Sequence, residues 1–156
     1  MKITLLAVGT RMPRWVDEAF TDYAKRFGRD VSVELKEIKP EKRTSGVSAE
    51  KGIAAEHARL LAALPARSLL VVLDERGKAL TSHALADTLK NWMSGGHDVA
   101  IVIGGADGLS DELKQRADLL LQLSAMTLPH GMVRVMLVEQ LYRALSILNN
   151  HPYHRD

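Results

Sequence analysis

The residues that could do chemistry fall into a few short segments. Gly104-Gly105-Ala106-Asp107-Gly108-Leu109 places three glycines in five residues directly after an apolar run. Glycine tolerates positive φ and lets the backbone approach a ligand, and Ser110 can open a helix behind the loop. The spacing is neither GxGxxG nor the P-loop pattern, so dinucleotide and P-loop readings fail on the motif itself, and a ligand loop and a tight strand-to-helix turn both remain open. Two further loops, Leu73-Asp74-Glu75-Arg76-Gly77-Lys78 and Leu123-Ser124-Ala125-Met126-Thr127-Leu128-Pro129-His130, also follow apolar runs. The last concentration is the end of the chain, His151-Pro152-Tyr153-His154-Arg155-Asp156. An imidazole can move protons near neutral pH and a guanidinium can stabilise an anion, and Pro152 stiffens a piece that would otherwise fray. His151 and His154 resemble a metal-ligand pair, but no nearby carboxylate or cysteine completes a set.

Other residues carry two readings each. Glu139 and Arg143 are spaced i,i+4 in the favourable order for a surface pair. Arg134, one turn into the last helix, faces either a phosphate or carboxylate, or plain solvent. Met126 reads as core in preference to a cofactor contact, and Trp15, Phe20, Tyr23 and Phe27 lie near helical spacing and read as packing.

Positioning these loops requires alternating elements. Short apolar runs predict strands at Ile3–Val8, Val31–Ile38, Leu69–Asp74, Val99–Ile103 and Leu119–Leu123, the first, third and fourth suited to a sheet covered on both faces and the second to an edge. Amphipathic stretches predict helices at Pro13–Phe27, Ala49–Leu64, Ser82–Met93, Asp111–Arg116 and Pro129–Leu148, with Pro13 and Pro129 in first turns and Ser48, Thr81 and Ser110 as caps. Five strand–helix repeats predict an α/β fold, a mostly parallel sheet of five to six strands flanked by helices, in which ligands bind beyond the carboxyl ends of the strands. Residues 1–156 read as one domain, and the polar loop Lys39–Ser48 reads as solvated.

Composition narrows the class. In 156 residues, 46% are hydrophobic and 26% charged, as in ordinary soluble domains. No apolar run approaches the roughly 20 residues a membrane helix needs, and the apolar start is too brief for a signal peptide. With no cysteine there is neither disulfide nor thiolate chemistry, and the cytoplasm is the default compartment. The net charge of +2 coexists with a pI near 9.0 because little titrates between neutrality and that value. Weak charge and few aromatics (two Trp, three Tyr, two Phe) argue against a stacking platform for single-stranded nucleic acid. The basic excess lies in the first sixty residues, around Arg11, Arg14, Lys42 and Arg43, and in the tail; the middle of the chain is slightly acidic.

Taken together, Leu73-Asp74, Ile103 through Ser110, Leu123 through His130, Glu139-Gln140-Leu141-Tyr142-Arg143-Ala144 and His151-Pro152-Tyr153-His154-Arg155 resemble the ribosomal RNA large subunit methyltransferase H family of the SPOUT superfamily. The blocks occur in the right order and the length agrees, whereas Lys39–Ser48 and the helix after it match loosely. The resemblance implies a homodimer with a carboxyl-terminal trefoil knot, a topology that general rules of chain connection make nearly absent. It further implies transfer of methyl from S-adenosylmethionine to N3 of a pseudouridine in 23S rRNA on assembled ribosomes. Carried over residue by residue, the cofactor would meet Leu73, Gly104, Leu123, Ser124, Ala125, Met126, Thr127 and Leu128.

For the catalytic step, His154 is the candidate base for the N3 proton, Arg155 its electrostatic partner and Tyr153 an orienting or stacking group. The modest charge implies selection by ribosome shape and weak affinity for naked RNA. A non-catalytic nucleotide-binding module and a histidine-dependent metal hydrolase are the competing readings.

Overall fold

The apolar runs become the buried centre of one sheet. The computed structural model describes residues 1–155. The elements follow the order β1 (Lys2–Val8), α1 (Arg14–Ala24), β2 (Ser32–Ile38), α2 (Ala49–Ala63), β3 (Leu69–Ala79), α3 (Ser82–Ser94), β4 (Val99–Ile103), α4 (Asp111–Arg116), β5 (Leu119–Gln122) and α5 (His130–Leu148). The strands pair in the order β2-β1-β4-β3-β5, and every pairing is parallel. Strand alternation sends side chains to two cores. Ile3, Leu5, Ala7, Val99, Ile101 and Ile103 pack with Phe20 of α1, Leu89 of α3 and Leu137 and Leu141 of α5. On the opposite face, Leu6, Val8, Ala100 and Val102 pack with Leu60 of α2 and Leu113 of α4. All five residues of β4 are buried, while β2 at the edge is mostly half-buried or exposed, as its alternation predicts.

Ends of helices follow local chemistry. The Ser48, Thr81 and Ser110 hydroxyls accept from the backbone N–H of Lys51, Ala84 and Leu113, three residues on in each case. Pro13 and Pro129 stand one residue outside their helices in extended backbone, with no side-chain cap. Helix α1 stops at Ala24 rather than Phe27, because the chain tightens there and Arg26 N–H bonds the Tyr23 carbonyl. Trp15 on this helix is 50% exposed, so of the four aromatics read as packing it is the one that does not pack.

One element departs further from expectation. β3 runs five residues past Asp74, and its ladder with β5 breaks: Leu73 and Lys78 both pair with Leu121. Two residues of β3 thus face one residue of β5, a bulged interruption of the ladder. Residues 74–77 stand out between the two pairings. Gly77 lies close over β5, and a Cβ there would come within 2.7 Å of the Leu121 backbone. A periodicity argument has no access to such an irregularity.

Candidate active site

Beyond the carboxyl ends of β3, β4 and β5, three loops converge on a cleft of about 740 Å³, within the range of pockets that bury a cofactor-sized ligand. Residues 73–76, 103–109 and 121–128 line it, with Lys114 of α4 and Val133 of α5. The sequence folds this way for local reasons. Gly104 sits against Leu109, where a Cβ would stand 2.8 Å from Leu109 Cγ. Residues 105–108 form a tight turn closed by Gly108 N–H on the Gly105 carbonyl (3.1 Å), with Gly108 at φ +81°. Leu109 then drops into the core beside α4, anchoring the far end of the loop. In the loop after β5, Ser124 Oγ accepts from Met126 N–H (2.9 Å) and turns the chain. This turn points Met126 outward at 79% exposure, so its expected core role is wrong. Leu73, Gly104 and all of residues 123–128 line the cleft.

Three acidic and two basic side chains line it as well, but the central acid is already committed. Asp74 receives Lys114 Nζ at 2.8 Å and the Arg76 N–H at 2.7 Å. Burial pushes its carboxyl up, and these donors outweigh burial and hold it below the usual carboxylate range. Among the described residues the cleft lining contains no histidine or tyrosine. Apolar walls from Leu73, Leu123 and Leu128, with loop backbone for hydrogen bonding, suit a flat heterocycle; the lining offers no neutral base to take a proton.

Proton-handling groups gather elsewhere. The tail folds back along α5: His151 N–H bonds the Ser146 carbonyl (2.9 Å), and Tyr153 Oη donates to Glu139 Oε1 (2.8 Å) and stands 3.1 Å from Tyr23 Oη. Glu139 also holds Arg143, at 2.7 Å. The expected i,i+4 pair therefore forms, but as the anchor of the tail and not as surface decoration. Rings of Tyr23, Phe27, Tyr142 and Tyr153 contact one another, with Arg26 over Tyr23 at 4.4 Å and Arg143 over Tyr153 at 5.0 Å. Burial, then the bonds to Tyr23 and Glu139, push the Tyr153 phenol well above its ordinary value, which keeps it a protonated donor at neutral pH. His154 Nδ1 lies 3.4 Å from Ser146 Oγ, and Arg155 is exposed. Glu139 and Arg143 are six and ten residues beyond Val133, about 9 and 15 Å along the helix. Tyr153, His154 and Arg155 are brought together, but not into the cleft of their own chain.

Arg134, read from the sequence as facing either an anion or solvent, faces an anion. It is 0% exposed, and its guanidinium donates to Glu37 Oε2 (2.8 Å), the Gly9 carbonyl (2.9 Å) and His130 Nε2 (3.1 Å). The carboxylate it faces belongs to this chain, and solvent is excluded. A lone arginine one turn into an otherwise apolar helix start was the available signal.

A parallel α/β sheet with a cleft built from the loops at its carboxyl edge is an architecture on which cofactor-dependent enzymes are built. The family model described as "Predicted SPOUT methyltransferase" matches residues 1–154, and that family is consistent with the knotted α/β fold. Proteins called "Ribosomal RNA large subunit methyltransferase H" are 79% identical in Chromobacterium violaceum, 75% in Laribacter hongkongensis and 66% in Neisseria meningitidis serogroup C. Each alignment covers 156 residues, the whole of this chain and of the relative. The chain belongs to the ribosomal RNA large subunit methyltransferase H family of SPOUT methyltransferases.

Proposed function

We propose that this chain transfers methyl from S-adenosylmethionine to N3 of a pseudouridine in 23S rRNA, acting as a single-domain homodimer on assembled ribosomes in the cytoplasm. The observation that carries the cofactor part is the convergence of Leu73, Gly104 and residues 123–128 on one cleft with apolar walls and exposed loop backbone. These residues fit an adenosyl group: leucine side chains cover its faces while backbone N–H and C=O groups read its edge. The slight acidic excess of the lining suits a cationic sulfonium. When bound, the cofactor supplies an electrophilic methyl on an excellent leaving group, so no metal is required of the protein.

What the chain must supply is alignment and relief of the N3 proton. His154 is the base, receiving that proton on its imidazole, and Arg155 stabilises the developing imide anion. Tyr153 orients both; its hydroxyl is occupied by Glu139, which makes it the hinge pin of the tail. Since the tail lies along α5 and the cleft lacks a base of its own, the tail of one subunit serves the cleft of the other. This reading gives the homodimer a chemical purpose.

The deciding experiment incubates the protein with methyl-labelled cofactor and ribosomes lacking the modification, then maps the labelled nucleotide. Label at a pseudouridine of 23S rRNA is expected; label elsewhere, or none, overturns the reading. Calorimetry with S-adenosylmethionine against ATP and flavin separates it from a nucleotide-binding module, since only the first should bind with preference.

A further inference from the structure

We propose that Arg134, acting through His130, is a positioning residue that holds the Gly104 carbonyl, and with it the first turn of the glycine loop, in its cofactor-binding geometry. The inference rests on the cofactor reading of the cleft.

The geometry runs in one direction. Arg134 comes from α5, and its three donor contacts reach the ends of two strands and one ring: Gly9 after β1, Glu37 in β2, and His130 one turn back on its own helix. A guanidinium never gives up its protons in a protein, so Nε always presents a hydrogen to His130 Nε2. That ring nitrogen must then be bare. The remaining proton sits on Nδ1, which donates to the Gly104 carbonyl at 3.2 Å. Arg134 thereby selects the tautomer of His130, as a carboxylate does for a metal-bound histidine.

Burying a full charge is costly, and an apolar side chain of similar volume would fill the space at less expense. What the apolar residue could not do is orient the ring. Gly104 sits close to Leu109, where an added Cβ would stand 2.8 Å from Leu109 Cγ, and its carbonyl sets where the 105–108 turn begins.

Protonation of His130 would place a second hydrogen on Nε2, facing the Arg134 Nε–H, and the relay would open. The charged groups that face the ring are Arg134 from its own helix and Glu37 from β2; the neutral Gly104 carbonyl meets it from the end of β4. Burial, followed by the Arg134 charge, lowers the His130 pKa from its ordinary value of 6.5, and the Gly104 and Glu37 contributions oppose only part of this. Neutral His130 is therefore the working form at physiological pH. A depressed folded value means that the relay is complete above the unfolded value and is lost as pH falls through the folded one.

The test uses the full-length protein and three variants, Arg134→Lys, His130→Ala and His130→Gln, with S-adenosylmethionine binding followed by calorimetry. Lysine cannot reach three partners, and alanine removes the ring; both should lower affinity about tenfold or more at pH 8 while turnover at saturating cofactor changes little. The glutamine amide can donate to Gly104 and accept from Arg134 without titrating. His130→Gln should keep affinity near that of the wild type at pH 8 and lose the decline expected of the wild type as pH falls below the ordinary histidine value of 6.5. Amide hydrogen exchange of residues 105–108 without cofactor should quicken in His130→Ala and not in His130→Gln, which decides the matter even if Arg134→Lys does not fold. Wild-type binding that His130→Ala retains unchanged, or a pH profile shared by wild type and His130→Gln, overturns this inference alone. A wild type that does not bind the cofactor overturns the underlying reading and this inference with it.

Discussion

The glycine-loop cleft and the carboxyl-terminal tail are built on opposite plans. The cleft is backbone and leucine, lined by no histidine or tyrosine among the described residues, with its one central carboxylate tied to Lys114. The tail is side-chain chemistry throughout, with Tyr153 locked to Glu139 and His154 and Arg155 carried just beyond the lock. One region has the shape of a ligand pocket and no group to move a proton. The other has titratable groups and no pocket. Pocket and proton-handling side chains thus lie in separate parts of the chain, and α5, which starts beside the cleft and ends under the tail, keeps them apart by its length. Under the proposed function, a second copy would complete each cleft with its tail.

Removing residues 151–156 tests the division most severely. Methylation of ribosomes should fall about 100-fold or more, the scale of a lost general base, while S-adenosylmethionine affinity stays at the wild-type level. A parallel fall in affinity would mean that the tail is part of the binding site and that the two regions are not distinct. The complementary variant is Gly104→Val, whose Cβ would meet Leu109. Its cofactor affinity should fall about tenfold or more, the loss of roughly 1.4 kcal/mol, with the tail untouched. Mixing the two defective proteins sharpens the contrast, because a hybrid dimer contains one intact cleft served by one intact tail. Recovered activity in the mixture supports a shared site, and none argues that each tail works at home.

Much of this contrast was legible in the sequence. Apolar runs ending in glycine or polar loops marked the carboxyl edge of a parallel sheet, and the five-strand α/β order followed, with the three capping hydroxyls at their helix starts. Legibility failed wherever long-range contacts decide. Residues 75–79 read as a polar turn because their pairing partners, Leu121 and Gln122, lie more than forty positions away. Arg134 read as facing either an anion or solvent, and its partners could not be named because Gly9 and Glu37 are more than ninety positions from it. Tyr23 and Phe27 read as helix packing, but the pattern did not show that Tyr142 and Tyr153 would join them where α1, α5 and the tail converge. Pattern reports faces and periods, and only the closed fold says which side chains from distant segments share one place.

Glu139→Gln loosens the tail without shortening it. The amide keeps the shape but weakens the charge-assisted bonds to Tyr153 and Arg143, worth about 1.5–3 kcal/mol at most for such contacts. Turnover on ribosomes should drop several-fold with cofactor affinity unchanged, and the thermal midpoint should fall modestly. Because the folded Tyr153 pKa is raised, the lock contributes fully below the phenol's ordinary value of 10.0 and is lost progressively as pH rises from there through the raised folded value. The midpoint difference between wild type and Tyr153→Phe should therefore hold steady from neutral pH upward and shrink only in the alkaline range. A difference already closing near neutrality would show that the phenol is not the group that holds the tail.

The smallest effect is expected where the cleft looks most visibly fastened. Arg43, from the polar loop before α2, pairs with Asp107 at the tip of the glycine turn. Both side chains are open to water, at 65% and 36% exposure, so screening and side-chain entropy leave the pair worth under about 1 kcal/mol. The turn is held from beneath, by Leu109 in the core, the Gly105–Gly108 bond and the His130 contact to Gly104. Arg43→Ala should change cofactor affinity by no more than about twofold, and added salt should erase even that. An Arg43→Ala defect as deep as that of Gly104→Val would show the loop to be governed from its surface, and the cleft would then resemble the tail in depending on exposed charge.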